Sequence, residues 1–202
     1  MDVVAREDVE AEVRRLCTAG DIRAAATVAI RDLGPEVAGF LMVLARDPTD
    51  AGDIFADVCV RIWKNLAGFR WQCTLRTWVY VLARRAFAAH QQQRAQWRDR
   101  HLPISEVPEI EELIVRVRTT TLARLHGEPQ TRAQRLREQL SADEQTLLTL
   151  RLDRDLEWRE IARVLADPSD DEPSDHVIGR EAAALRKQFE RVKERLKRLA
   201  AG

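Results

Sequence analysis

The sequence has little glycine, few cysteines and few aromatic residues: 8 Gly, 3 Cys and 5% aromatic residues among 202. It contains neither a phosphate-binding glycine loop nor a Gly-x-Ser-x-Gly nucleophile motif. Cys17, Cys59 and Cys73 are far apart, and no Cys-x-x-Cys or histidine spacing of a zinc site accompanies them. We therefore expect structural thiols, no metal, no cofactor and no catalytic site, so the protein is not predicted to be an enzyme.

Long apolar runs are also missing. A membrane-spanning helix needs about eighteen or more consecutive apolar residues, and the sequence has no such run. Residues 1–12 are acidic, unlike the basic start of a secretory leader. The sequence predicts no membrane insertion and a cytoplasmic protein.

The charges are segregated along the chain, although 33 basic and 33 acidic residues give a formal net charge of zero. Residues 1–57 contain 6 basic and 12 acidic residues, whereas residues 58–101 contain 9 and 1. Residues 176–202 contain 8 basic and 3 acidic residues and follow an acidic segment, 167–175. Two basic segments favour a polyanion such as nucleic acid, because neutralising phosphates releases condensed counterions. The alternative is a pair of solvated helix faces.

Apolar residues recur three and four positions apart almost throughout, which predicts an all-α fold. We expect helices near 6–19, 21–32 and 35–46, with Pro35 between two of them, and a helix after Thr49 that Asp50 caps. Another helix should start near Thr74, after a loop over 67–73. Further on, the sequence predicts helices over 141–152, 157–165 and about 179–199, the first opened by a Ser141–Glu144 capping box.

This pattern predicts two small helical domains, 1–101 and 131–202, joined by a partly helical linker, 102–130. The helix at 157–165 and the basic final helix suggest a helix-turn-helix, whose second helix can enter the DNA major groove. In the first domain, Trp71 lies in a loop between Arg70 and Arg76, where a base could stack on its ring. The alternative is that Trp71 fills the core.

Residues 50–66 (DAGDIFADVCVRIWKNL), 68–70 (GFR) and 75–85 (LRTWVYVLARR) resemble the second conserved region of extracytoplasmic-function (ECF) sigma factors of bacterial RNA polymerase. Residues 140–148 (LSADEQTLL), 158–165 (WREIARVL) and 184–196 (ALRKQFERVKERL) resemble their fourth region. The resemblance covers roughly half the chain, in the family's order.

The resemblance implies a sigma factor that directs core polymerase to promoters and opens the DNA. The 1–101 domain would bind the β′ clamp helices through Asp53, Asp57 and Arg61, with the β subunit as a further contact. It would also melt the minus-ten element, whereas the 131–202 domain would bind the minus-thirty-five element. The implied DNA contacts are Arg70, Trp71, Arg76, Arg84, Arg85, Arg180, Arg186, Lys187 and Arg191. An anti-sigma factor is an implied regulator, and the active protein would be nucleoid-associated.

Two alternatives remain at this point. A helix-turn-helix regulator that acts without core polymerase would bind a palindromic site. A sigma-like scaffold that binds only protein would not need Arg186 and Lys187. The acidic segment 167–175 raises a further hypothesis, that it repels phosphate or caps the basic helix in the free protein.

Overall fold

The computed structural model describes residues 3–93, 112–117, 131–166 and 173–201. Within these ranges all regular structure is helical, which confirms the all-α prediction. The chain divides into two compact units, Met1–His126 and Gly127–Gly202. Their boundary falls inside the segment predicted as a linker, and each unit is described separately.

The first unit contains four long helices and a short 3₁₀ turn. They are α1 (Val3–Thr18), α2 (Ile22–Ala45), α3 (Pro48–Asn65), the turn Leu66–Gly68 and α4 (Leu75–Gln93). The core is built from α2, α3 and α4, and its largest fully buried side chains include Phe40, Phe55 and Tyr80. The rings of Phe40 and Tyr80 meet edge to face at 5.1 Å. Burial of apolar side chains, these rings among them, is the main favourable contribution to the folding of such a unit.

The predicted break at Pro35 is wrong, because α2 runs through it as a single helix. A proline inside a helix removes one hydrogen bond and crowds the carbonyl four residues earlier, at a cost of about 3 kcal/mol. Here both Pro35 and Arg31 are on the exposed side, where water can solvate that carbonyl. The opposite side buries Leu33 and Val37 on either side of the proline, which offsets the cost.

The start of α3 differs from the prediction in one residue. Asp47, not Asp50, is the cap: its Oδ1 accepts hydrogen bonds from the backbone N–H of Thr49 at 2.8 Å and of Asp50 at 2.9 Å. Pro48 occupies the first turn, where its missing N–H costs nothing. The start of α4 is confirmed, since the Thr74 hydroxyl accepts from Thr77 N at 3.1 Å.

Part of the predicted linker is helical and belongs to the first unit. Residues 112–117 form a short helical segment that buries Leu113, Ile114 and Val117. This segment approaches α2 at Gly34, where a Cβ atom would lie 3.4 Å from Val117 Cγ1 and 3.2 Å from Phe55 Cζ. The absence of a side chain at Gly34 therefore lets the segment and α3 pack closely on α2.

The second unit contains α5 (Arg132–Glu138), α6 (Ala142–Leu148), a π-helical turn (Thr149–Asp153), α7 (Trp158–Leu165) and α8 (Asp175–Ala201). The predicted Ser141–Glu144 capping box is confirmed, and a second box opens α5 at Thr131. The last helix starts at Asp175, before the predicted Gly179. Residues 167–172, most of the acidic segment and of the connection between α7 and α8, lie outside the described residues.

Candidate nucleic-acid and polymerase interface

Loop 69–74, between the 3₁₀ turn and α4, carries an aromatic stack. The ring of Phe69 lies 4.7 Å from that of Trp78, nearly parallel at 24°, and 4.7 Å from that of Trp71. All three rings are partly exposed. Trp71 has a φ of +58°, a left-handed backbone conformation that large side chains rarely adopt. We name Phe69, Trp71 and Trp78 the aromatic stack.

Helix α1 reaches this stack through Glu10 and Arg14, neither of which is among the predicted site residues. The Arg14 guanidinium lies over the Trp71 ring, 4.4 Å from its centre. The Glu10 carboxylate accepts a hydrogen bond from Leu75 N, at the start of α4, at 2.8 Å. Contacts between residues so far apart leave no local sequence signal beyond the spacing of four between Glu10 and Arg14.

The predicted basic residues of the first unit have different environments. Arg70 is exposed in the loop, and Arg84 and Arg85 are partly exposed on α4. The guanidinium of Arg84 lies 5.7 Å from the centre of the Phe87 ring.

Arg76 departs from the prediction that it binds DNA. Its guanidinium forms two hydrogen bonds to the Glu36 carboxylate, Nε to Oε1 at 2.7 Å and Nη2 to Oε2 at 3.2 Å. The two side chains are only 11% and 12% exposed. Arg76 therefore fastens α4 to α2, and we assign it a structural role in place of a phosphate contact.

The predicted polymerase-binding residues lie at successive turns of α3. Asp53 is exposed, whereas Asp57 and Arg61 form an ion pair, Oδ2 to Nε, at 2.8 Å. Their side chains are 15% and 35% exposed. This face of α3 thus contains the exposed Asp53 side chain and the Asp57–Arg61 ion pair.

The basic residues of the second unit lie on α8. Arg186, Lys187 and Arg191 are exposed, and Arg180 is exposed but pairs with Glu181 at 3.2 Å. The guanidinium of Arg186 lies over the ring of Trp158 on α7, 5.8 Å from its centre. The ring of Phe189, also on α8, meets Trp158 edge to face at 5.3 Å. The aromatic contact between the helices thus gives Arg186 a fixed neighbour.

Asp175 joins α7 to the start of α8. Its Oδ1 accepts hydrogen bonds from Arg159 at 2.9 Å and from Arg163 at 3.1 Å. It is the last residue of the acidic segment 167–175, so that end of the segment binds cations of α7.

Among the described residues, no group of three or more His, Cys, Asp or Glu side chains is arranged to hold a metal ion. The three cysteines are free thiols, and burial raises the pKa of the Cys59 thiol far above its usual range. No helix among the described residues is long and apolar enough to cross a membrane.

Residues 29–98 match the family model of sigma-70 region 2. These residues therefore form a sigma-70 region 2 domain. No curated protein and no solved structure gives a significant match to the chain. The matched residues include α3, loop 69–74 and α4, whereas α1 and the second unit lie outside the match.

Region 2 of sigma factors binds core RNA polymerase and recognises the minus-ten promoter element. The match therefore gives this protein a sigma-factor role in promoter recognition. Sigma factors are in general not enzymes. The α3 face and the aromatic stack both lie within the matched region, so both candidate interfaces belong to a domain with these two functions.

Proposed function

We propose that this protein is an ECF-type sigma factor that recruits core RNA polymerase and holds the minus-ten element open. The observation that carries the proposal is the coincidence of the region 2 match, residues 29–98, with a partly exposed aromatic stack beside Arg70. The size of the chain, 202 residues, is consistent with the ECF group.

Loop 69–74 is our candidate for the single-strand site. Unstacking a DNA base step costs a few kcal/mol, and stacking a base on an aromatic side chain returns about 1–3 kcal/mol. Trp71 supplies a ring at the surface, while Arg70, Arg84 and Arg85 supply cations for the phosphates. The left-handed backbone at Trp71 supports this assignment, because strained conformations concentrate at functional sites.

The α3 face is our candidate for the polymerase contact, with the β′ clamp helices as the partner and the β subunit as a further contact. Asp53 offers an exposed carboxylate to a basic partner. The Asp57–Arg61 pair supplies polar groups one and two turns further along. Complementary charges of this kind set the orientation and rate of association more than its affinity.

The second unit is our candidate for minus-thirty-five recognition, with α7 and α8 as a helix-turn-helix. Arg186, Lys187 and Arg191 are exposed on α8, and a planar guanidinium can bridge O6 and N7 of guanine. Arg180 would make a weaker contact, because Glu181 competes for its charge. Two modules on one polymerase should bind a promoter far more tightly than the free chain does, through effective concentration.

Two other functions predict different experimental results. A regulator that acts without core polymerase would bind DNA equally well in its absence, and a protein scaffold would keep its function without Arg186 and Lys187. An anti-sigma factor, if the cell makes one, would lower transcription by covering these interfaces. The region 2 match favours the sigma factor over a regulator that acts without core polymerase, and the Arg186 and Lys187 variants separate it from the scaffold.

Run-off transcription tests the proposal. Purified core polymerase and genomic fragments are combined with the full chain, and we expect defined transcripts that core polymerase alone does not make. Trp71→Ala should lower open-complex formation, and Asp53→Arg should lower association with core polymerase. Lys64→Ala, at an exposed position of α3, is the matched control. Equal promoter binding with and without core polymerase would contradict the sigma-factor function.

A further inference from the structure

Arg14 extends the aromatic stack beyond the residues that match region 2. Its guanidinium lies 4.4 Å from the centre of the Trp71 ring, and Trp71 in turn contacts Phe69. Phe69 contacts Trp78 on α4. The contacts therefore lead from α4 through the loop to a cation on α1, a helix outside the matched residues 29–98.

Glu10 fixes α1 in this position. The first N–H groups of a helix have no partner within the helix, and the N–H of Leu75 at the start of α4 donates to Glu10 Oε2 at 2.8 Å. Glu10 Oε1 lies 3.7 Å from Arg14 Nη2, one turn further along α1. One carboxylate thus both caps α4 and neighbours the Arg14 guanidinium.

The Arg14 side chain is 56% exposed although it stacks on Trp71. A guanidinium can stack through its plane and donate hydrogen bonds to phosphate through its edge at the same time. The side chain therefore presents a positive edge to solvent directly beside a surface ring.

We propose that Arg14 binds the phosphate backbone of the DNA strand that lies on loop 69–74, so that α1 and region 2 together form the single-strand site. This inference rests on the proposed function of the aromatic stack. The opposite role is that Arg14 covers the Trp71 ring and must leave before a base can stack there. The two roles predict opposite changes in affinity when the side chain is removed.

The experiment uses full-length protein bound to core polymerase, with core polymerase alone as the baseline. A fluorescein-labelled single-stranded DNA of mixed sequence is the probe, because phosphate contacts do not depend on sequence. We expect Arg14→Ala to weaken binding about threefold to tenfold and to reduce the slope of log affinity against log salt by about 0.7. Arg14→Lys should keep the slope and lose part of the affinity, since lysine keeps the charge without the plane.

Arg15→Ala is the matched control. Arg15 is the next residue of α1, is exposed, and forms its ion pair with Glu12 at 2.7 Å. It should change neither the affinity nor the slope. Circular dichroism of each variant establishes that the helices are intact.

Trp71→Ala separates this inference from the proposed function. If Trp71→Ala weakens binding while Arg14→Ala behaves like Arg15→Ala or binds more tightly, the Arg14 inference is overturned and the proposed function stands. If Arg14→Ala weakens binding and lowers the salt slope while Trp71→Ala has no effect, Arg14 contacts phosphate but no base stacks on Trp71, and the combined single-strand site is overturned. If neither variant has an effect, both are overturned.

Discussion

The two units of the chain are stabilised differently. The first is built around large buried side chains and includes the Arg76–Glu36 ion pair, of which little is exposed. The second also buries large side chains, among them Leu147, Leu148 and Leu150, but its helices start with three capping boxes and its ion pairs are more exposed, as in Arg137–Asp153 and Arg195–Glu144. A buried pair is costly to break, because one charge is then left without a partner in a low-dielectric environment, whereas an exposed pair contributes little.

This difference shows that basic residues in a sequence are not equivalent evidence for DNA binding. In the first unit the Arg76 guanidinium binds Glu36 and so joins α4 to α2. Arg14 comes from an acidic part of the sequence, yet its guanidinium lies over the Trp71 ring of the aromatic stack. On α8, Arg186, Lys187 and Arg191 remain exposed. The charge of residues 58–101 therefore overstates the cations available to DNA in that unit.

The largest effect should follow from breaking the buried pair. We expect Arg76→Met to lower the free energy of unfolding of the first unit by about 3 kcal/mol, because Glu36 is left without its guanidinium. Hydrogen exchange of α2 and α4 peptides measures the loss unit by unit. Arg76→Met combined with Glu36→Leu should recover most of it, since both charges are then gone. An unchanged exchange rate in the single variant would show that the pair adds no stability.

The next largest effect should be on DNA binding by α8. The DNA for this test is a duplex promoter identified by run-off transcription. Arg186→Ala should weaken its binding to the polymerase complex by about 1–3 kcal/mol, because a bidentate base contact is lost. Arg180→Ala should cost less, because Glu181 already pairs with Arg180. Arg198→Ala, at the far end of α8, is the control. Equal losses in all three would indicate a nonspecific charge effect.

A smaller effect should follow from the cap of α6. Hydrogen bonds from Ser141, together with the nearby Arg195, lower the pKa of Glu144. The ionised Glu144 carboxylate therefore stabilises the folded state at neutral pH, and this contribution is lost as the pH falls through the lowered pKa. Glu144→Gln should destabilise α6 by about 1 kcal/mol at neutral pH and flatten this dependence. Hydrogen exchange of peptides from α6, measured over a range of pH, gives the loss of stability and its pH dependence. Asp143→Asn, in the same turn, is the control.

The smallest effect should come from Asp175. Its side chain is 78% exposed, so its pairs with Arg159 and Arg163 are screened by solvent. We expect Asp175→Asn to change stability by no more than about 0.5 kcal/mol. Thermal unfolding followed by circular dichroism tests this. A loss as large as that of Arg76→Met would contradict the contrast between the two units.

Local signals predicted much of the fold. Four residues, Ser141 to Glu144, were sufficient for the capping box, and Thr74 marked the start of α4. Pro35 misled because its effect depends on which side of the helix it faces, and that depends on tertiary packing. Asp47 and Asp50 are both plausible caps in the sequence, and only the backbone geometry selects the first.

The candidate site was harder to predict. Trp71 could be located because it is an aromatic residue in a basic loop. The contacts of Arg14 with Trp71 and of Glu36 with Arg76 join distant parts of the chain, and no periodic pattern encodes them. A single sequence therefore indicated the loop but not the helix that packs against it.

The left-handed backbone at Trp71 restricts which residues can replace it. Glycine and asparagine adopt this conformation most readily but have no ring, whereas other aromatic residues keep a ring and retain the backbone strain. A residue that replaces Trp71 must therefore both supply an aromatic ring and adopt the left-handed backbone conformation. We expect promoter preference to diverge among relatives through neighbouring cations before it diverges through position 71.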